Sequence, residues 1–154
     1  MNLSKMKLII LLPLCLIPFV SSGCSFASSG INFASSAKAE QVVPILATIP
    51  VYPDSVQVSR DQQIRQTFPI FAFAHAEYKA KVNFDELKAF YMKRLAQQGW
   101  HFESDKINWH NRQDLGGRIM KFRKDDYKLD IIYAGERAYF GWDYQIAVNW
   151  NTQD

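Results

Sequence analysis

The chain has 154 residues, of which 48% are hydrophobic and 21% are charged, and its formal net charge is +3. This length accommodates one ordinary domain and little more. The apolar fraction is too high for a disordered chain, and the charges form neither an acidic tail nor a pervasive basic face. The composition therefore disfavours a nucleic-acid binder that is held mainly by phosphate contacts.

The first 23 residues have the three parts of a signal peptide. Two lysines precede an uncharged run from Leu8 to Val20, and the small residues 21–23 follow. A membrane-spanning helix needs roughly 20 apolar residues, whereas this run is shorter and contains Pro13 and Pro18. The segment therefore predicts export rather than a permanent transmembrane span.

A cysteine follows the small residues directly. The sequence Ser21-Ser22-Gly23-Cys24 resembles the lipobox of bacterial lipoproteins, in which the signal is cut before a cysteine that carries diacylglycerol. The resemblance implies that the mature chain begins at Cys24 and that this residue is lipidated and anchors the protein to a membrane. Ser25 is not the Asp that is associated in this family with retention in the inner membrane. The resemblance therefore further implies the outer membrane, with the domain facing the periplasm.

A second cleavage pattern is also present. Ala37-Lys38-Ala39 fits the small-x-small rule of an ordinary cleavage site, and a cut after it would leave an exported protein without a lipid. Cysteine usage favours the lipoprotein, because Cys15 lies in the apolar run and no cysteine follows Cys24. An exported thiol without an internal partner needs an explanation, and acylation provides one.

Residues 24–42 are predicted to form the lipidated N-terminus and a flexible tether. The stretch from Ser25 to Gln41 consists largely of Ser, Ala and Gly, and such a chain behaves as a flexible coil. The following stretch, up to residue 53, contains three prolines and is predicted to run extended over the domain surface. A single domain is predicted over residues 43–154.

Two strand patterns open this domain. Val56-Gln57-Val58 predicts a short strand, and residues 76–82 alternate strictly between apolar and charged, as in a strand with one buried face. Extended backwards, the second strand takes in Phe71 and Phe73 on its charged side. We therefore expect the first part of this strand to be covered on both faces.

The spacing of the apolar residues changes at Asn83 from that of a strand to that of a helix. A helix over residues 84–98 is therefore predicted. Asn83 and Glu86 have the spacing of a capping box, and Gly99 stands where a left-handed C-cap is needed. Between these signals, apolar residues recur at helical spacing: Phe84, Leu87, Phe90, Tyr91 and Leu95.

The remainder is typical of an antiparallel meander. Strands are predicted over residues 100–110, 118–124 and 127–133, with tight turns at Asp125-Asp126 and Gly135-Glu136. A last strand is predicted from residue 138 onward, with these residues facing the core: Ala138, Phe140, Trp142, Tyr144, Ile146, Val148 and Trp150. The predicted fold class is α+β, with one amphipathic helix packed on a curved antiparallel sheet of about five to six strands.

One further pattern lies in the predicted helix. Phe90-Tyr91, Leu95 and Gly99-Trp100 read as FY, three residues, L, three residues, GW. This pattern looks like that of small exported bacterial domains of unassigned function. The resemblance implies a secreted bacterial setting and no particular chemistry.

Residues with catalytic or metal-binding chemistry are few and scattered. His75, His101 and His110 form no HxH or HExxH motif and are interpreted as surface histidines, so neither a metal site nor a cofactor is predicted. The sequence contains no nucleophile-elbow motif, and no catalytic residue is predicted. Asp125-Asp126 and Gly116-Gly117 are interpreted as turns rather than as an acid-base pair and a phosphate loop.

Charged residues around the Asp125-Asp126 turn form two groups. The turn carboxylates, together with Asp130 and Glu136, lack calcium-loop spacing. The basic residues form either a solvated strand face or a contact for anionic lipid or an acidic partner; they are Arg118, Lys121, Arg123, Lys124 and Lys128.

We therefore expect a non-enzymatic envelope lipoprotein whose domain acts in protein interaction or envelope assembly. The alternative is a module that binds an apolar or saccharide ligand in the cleft between helix and sheet. Aromatic side chains beyond those that the core needs can line such a cleft or form a partner-binding surface.

Overall fold

The computed structural model of the chain describes residues 33–65 and 70–151. The predicted signal peptide, the lipobox and Cys24 lie outside these residues, so cleavage and acylation remain predictions. The helices within the described ranges are α1 (Phe33–Glu40), α2 (Val42–Thr48) and α3 (Phe84–Gln97). The strands are β1 (Val56–Arg65), β2 (Phe71–Lys79), β3 (His101–Ile107), β4 (Arg118–Lys124), β5 (Tyr127–Tyr133) and β6 (Tyr144–Asn151).

The strands form one antiparallel sheet in the order β1-β2-β6-β5-β4-β3. The last strand of the chain therefore lies in the middle of the sheet, where Val148 is opposite Ala74 of β2 on one side and Leu129 of β5 on the other. A six-stranded antiparallel sheet combined with helices agrees with the predicted α+β class.

One face of the sheet carries the core. Successive residues of a strand point to opposite faces, so every second side chain can be buried. The predicted inward positions Ala76 and Tyr78 are buried, which confirms the register of β2. The inward register of β6 is likewise confirmed, with these residues buried: Tyr144, Ile146, Val148 and Trp150.

The last strand begins later than predicted. Ala138–Phe140 form a 3₁₀ turn, Gly141 has a φ of +74°, and the extended backbone starts only at Tyr144. Phe140 and Trp142 are half-buried and stack on each other with their ring centroids 4.8 Å apart. The prediction that these two residues face the core is wrong, because the left-handed backbone at Gly141 interrupts the alternation on which it depended.

α3 is capped as predicted. The Asn83 side chain accepts a hydrogen bond from the Glu86 backbone N–H at 2.9 Å, and the Glu86 carboxylate accepts one from the Asn83 backbone. At the other end, Gly99 has a φ of +81°, and the Trp100 N–H bonds the Leu95 carbonyl at 3.0 Å. The capping box and the glycine C-cap are therefore both confirmed.

The N-terminal part of the described chain is helical where the sequence predicts coil. α1 and α2 occupy most of residues 33–48, and Ala39 and Val42 are fully buried in the core. Pro44 is compatible with α2, since it lies in the first turn, where backbone N–H groups have no intrahelical partner. The prediction of a flexible tether as far as residue 42 is wrong from residue 33 onward, and the prediction of an extended chain from 42 is wrong over α2.

The bounds of the remaining strands differ in part from those predicted. β4, β5 and the turn between them occur at the predicted residues. β1 is much longer than the predicted three residues, because its polar second half pairs with β2 through the backbone. β2 ends at Lys79 rather than at Val82, and β3 covers only His101–Ile107.

No helix in the described ranges has the length and apolar character needed to cross a membrane.

Candidate functional site: an aromatic surface at one end of the sheet

The two ends of the sheet are distinguished by their loops. At one end, Asp125 and Asp126 form the tight turn between β4 and β5. At the other end lie the β3–β4 loop (residues 108–117) and the β5–β6 loop (residues 134–143). Because β4 and β5 each have seven residues, the two ends are about 20 Å apart.

Aromatic side chains cluster in these two loops. The ring centroids of His110 and Tyr139 are 5.6 Å apart, and those of Tyr139 and Phe140 are 4.7 Å apart. Phe140 in turn stacks on Trp142. Trp109, next to His110 in the chain, is 59% exposed, and Tyr139 is 63% exposed. We call these five residues the aromatic surface.

Arg137 joins the two loops that carry the aromatic surface. Its side chain is buried, Nη2 donates a hydrogen bond to the carbonyl of Asn108, and the guanidinium lies 5.4 Å from the centroid of the Phe140 ring. Gly117 makes room for it, since a Cβ at that position would come within 2.6 Å of Nη2. Arg137 is therefore a positioning residue, which connects one loop to an aromatic ring of the other.

An ion pair stabilises the β3–β4 loop. The Arg118 guanidinium bonds the Asp114 carboxylate at 3.0 Å, and the Gly116 N–H donates to the same oxygen at 2.9 Å. The hydrogen bond from Arg118 is the main reason why the pKa of Asp114 is lowered. Asp114 is therefore an ionised loop anchor at neutral pH.

The aromatic surface has the chemistry of a contact surface. Trp and Tyr present large, stiff, apolar rings with a polar tip, and they are enriched at protein interfaces for this reason. The exposed Trp109 and Tyr139 have this character. Asn111 adds an amide beside the His110 ring, with its Nδ2 3.1 Å from Nε2.

The sequence analysis did not predict this surface, because the predicted last strand placed part of it in the core. The alternation of large residues assigned Phe140 and Trp142 to the core and Tyr139 to the opposite face. Gly141, in the middle of that run, is the signal that could have indicated a break, because glycine inside a strand pattern often marks a bend.

The structure does not bring the three histidines together. His75 lies on β2 and stacks on Phe73 at 6.0 Å, His101 begins β3, and His110 belongs to the aromatic surface. Within the described residues, no group of three or more His, Cys, Asp or Glu side chains is placed to hold a metal ion.

The basic residues of the β4–β5 hairpin have different partners. Arg123 Nε bonds Glu103 at 2.7 Å, and Lys124 Nζ donates to the carbonyl of Gln98 at 2.8 Å. Arg118 pairs with Asp114, as described above. The sheet register places Lys121 opposite Asp130 and Arg123 opposite Lys128. Lys121, Arg123 and Lys128 thus share one sheet face with Asp130, whereas Arg118 and Lys124 alternate onto the other face, so the cluster is not a uniform basic patch.

The acidic residues of this hairpin are also separated. Asp125, with a φ of +52°, and Asp126 form the predicted turn, and Asp126 pairs with Lys38 of α1. Asp130 is half-buried, and burial raises its pKa, while Lys121 and Lys128 act in the opposite direction.

Three tyrosine side chains, from α3, β2 and β6, are in ring contact. Tyr91 of α3 is fully buried, with its ring centroid 6.2 Å from that of Tyr144, which stacks on Tyr78 at 5.1 Å. Burial, with a smaller effect of Tyr144, raises the pKa of Tyr91 well above its usual range.

An open cleft of about 610 Å³ lies beside this tyrosine cluster. It is at the same end of the sheet as the aromatic surface, since it includes the end of β2 and the residue before β6. Its lining carries both charges: Tyr52, Pro53, Asp54, Lys79, Ala80, Lys81 and Asp143.

Comparison with known proteins gives no relative: the chain matches no protein-family model, no curated protein and no solved structure.

Proposed function

We propose that the protein is a non-enzymatic, lipid-anchored domain of the bacterial cell envelope, which binds another envelope protein through the aromatic surface. The observation that carries this proposal is the position of Trp109 and Tyr139. Both are exposed, and both lie at the end of the sheet remote from the contacts of α1, the helix that leads back to Cys24.

The attachment of α1 supports this arrangement. Lys38 forms an ion pair with Asp126 in the β4–β5 turn, and the Tyr127 hydroxyl donates to the Lys38 carbonyl at 3.1 Å. α1 is therefore held near one end of the sheet, and the aromatic surface lies about 20 Å away at the other.

The lipid anchor is inferred from the lipobox. Each buried methylene contributes about 0.8 kcal/mol, so one acyl chain holds a protein only reversibly, whereas two or three hold it stably. The alternative cut after Ala39 would remove α1, including a side chain that is fully buried in the core. We therefore favour cleavage before Cys24 and a folded unit that retains α1.

The packing of the helices on the sheet is also part of this proposal. Leu87, Tyr91 and Leu95 of α3 are buried in one cluster with the inward residues of the sheet. We infer that α3 packs across that face of a curved sheet and that α1 and α2 cover β2 and β6 beside it. The helices of the described residues then leave the opposite face of the sheet uncovered, and this face is available to partners.

Two experiments on the full chain test the proposal. Cys24→Ala should abolish incorporation of labelled fatty acid and release the domain from membranes, whereas Cys15→Ala should change neither. A photoreactive amino acid at position 139 in the membrane-bound chain should give a discrete adduct with one envelope protein. Trp109→Ala should reduce that adduct at least fivefold.

Met92 on α3 provides the matched control, because it is exposed but distant in sequence from both loops. The same photoreactive group at position 92 should not give the adduct. Unchanged labelling of Cys24→Ala would contradict the anchor, and identical adducts from positions 92 and 139 would contradict the aromatic surface.

The open cleft favours a second candidate, a small-ligand module. Tyr52 offers a ring, and Lys79 and Asp143 offer polar groups, at the rim of this cleft. A ligand that binds the native state raises its melting temperature. Glycan fragments or lipid extracts that raise the Tm of the wild type, but not of Tyr52→Ala, would favour this candidate over the protein partner.

A further inference from the structure

β1 is an edge strand with one neighbour. It pairs with β2 alone among the described residues, and nine of its ten residues are exposed. The N–H of Gln62 donates to the side chain of the preceding Asp61 at 2.7 Å, a local hydrogen bond that pairing with another strand would replace. An edge strand of this length, with backbone groups that lack a second strand, is a template for pairing with another chain.

The opposite edge is different. β3 has seven residues, is irregular between Phe102 and Ser104, and carries ion pairs from Glu103 to Arg123 and from Asp105 to Lys88. Bulges and charged side chains are the usual devices that block edge pairing. β1 also has an irregularity near its start, between Gln57 and Ser59, and it also carries charged side chains, but seven regular residues (59–65) follow its irregularity, against four (104–107) in β3.

We propose that β1 pairs antiparallel with β1 of a second copy of this chain, about a two-fold axis at Gln63. A two-fold axis perpendicular to the sheet keeps each face of one copy on the same side in the other. In this register, Asp61 of each copy lies opposite Arg65 of the other, and Gln62 lies opposite Ile64. Residues 61–65 are thus complementary to themselves.

The pairing of Asp61 with Arg65 favours this register over the two adjacent registers. Oppositely charged residues that face each other across two strands are favourable, and like charges in the same positions are unfavourable. Moving the axis to Gln62 replaces both ion pairs by Asp61–Gln63 pairs. Moving it to Asp61 places two carboxylates opposite each other. The Gln63 axis alone among these three gives two ion pairs.

The side chains of this interface lie on one face of the strand. Asp61, Gln63 and Arg65 alternate with the residues of the other face, and they share that face with His75, Phe73 and Phe71 of β2. The Arg65 guanidinium lies 6.0 Å from the centroid of the Phe71 ring. This contact holds the cation at the sheet surface, which reduces the conformational entropy lost when the second copy binds.

The arrangement of the helices on the sheet leaves β1 accessible for this association. β1 is exposed along its length, so no helix of the described chain covers the strand that would enter the interface. The two-fold axis also keeps α1 of both copies on the same face of the combined sheet. The edge of β1 is separate from the aromatic surface, so this inference does not depend on the proposed partner.

Disulfide trapping in the full chain, purified in detergent, tests the inference. Gln63→Cys would place two thiols opposite each other at the axis, where Cβ atoms are about 4.5 to 5.5 Å apart. Mild oxidation should give a covalent dimer well above the background of the chain without this cysteine. Lys106→Cys on β3 should stay at background, although it shares the same micelles.

Charge reversal then tests the register. In the Gln63→Cys background, Asp61→Arg should reduce the trapped dimer about tenfold, because two attractive pairs become repulsive. The double swap of Asp61→Arg with Arg65→Asp should restore it to within twofold. Lys106→Glu should have no effect. Equal trapping at positions 63 and 106, or a double swap no better than Asp61→Arg alone, would overturn the inference.

Discussion

Lys38 of α1 forms an ion pair with Asp126, a residue 88 positions further along the chain in the β4–β5 turn. The adjacent Ala39 is fully buried, and so is Val42 at the start of α2. The contact therefore belongs to a segment that packs into the core, and residues 33–48 belong to the folded unit.

A truncation tests this conclusion. A chain that begins at Val43 should be less stable than one that begins at Phe33, because it loses two buried side chains. Burial of one valine contributes about 1.5 to 3 kcal/mol, so we expect the free energy of unfolding to fall by about 2 kcal/mol or more. Urea denaturation monitored by circular dichroism measures this difference. Coincident transitions would show that the stability of the domain does not depend on α1.

The corrected start of β6 predicts unequal roles for two tryptophans. Trp150 is buried in the central strand, whereas Trp142 is half-buried in the β5–β6 loop. Trp150→Ala should lower the free energy of unfolding by about 3 to 5 kcal/mol, and Trp142→Ala by less than half as much. Chemical denaturation of the two variants provides the comparison. Similar losses would mean that Trp142 packs like a core residue.

The capping box of α3 predicts a moderate effect. Asn83→Ala leaves the Glu86 N–H without its side-chain acceptor, which should cost about 1 kcal/mol and lower the Tm. Asn83→Ser provides the control, since serine also accepts this hydrogen bond and should stay close to the wild type. A serine variant as unstable as the alanine variant would indicate another role for Asn83.

The raised pKa of Asp130 predicts that the stability of the domain depends on pH. Burial raises its pKa above the ordinary 3.8, with Glu103 adding to the rise and Lys121 and Lys128 opposing it. The folded chain therefore keeps this proton to a higher pH than the unfolded chain. The resulting contribution to stability is complete below about pH 3.8 and is lost as the pH rises through the folded-state pKa.

Asp130→Asn isolates this contribution, because its side chain has nearly the same shape and does not titrate. The stability of the wild type relative to this variant should fall as the pH rises from 3 to 7. Urea unfolding at a series of pH values measures the trend. A difference that grows with pH would mean that the attraction to Lys121 and Lys128 outweighs burial.

The elements with local signals were predictable from the amino-acid sequence. The capping box at Asn83, the glycine after α3 and the turn at Asp125-Asp126 each depend on residues a few positions apart. Such signals act through backbone geometry that hardly depends on the rest of the chain. The burial of alternate residues in β6 was also readable, because a central strand needs apolar side chains on its inward face.

The features that depend on distant partners were not predictable from the sequence and are visible only in the folded chain. The helices of residues 33–48 have weak local signals, and they are fixed by burial of Ala39 and Val42 and by the contact of Lys38 with Asp126. The polar half of β1 is a strand because β2 lies beside it. The aromatic surface exists because Arg137 connects two loops that are separate in the chain. In each case the deciding free energy comes from contacts across long sequence separations, which no local pattern encodes.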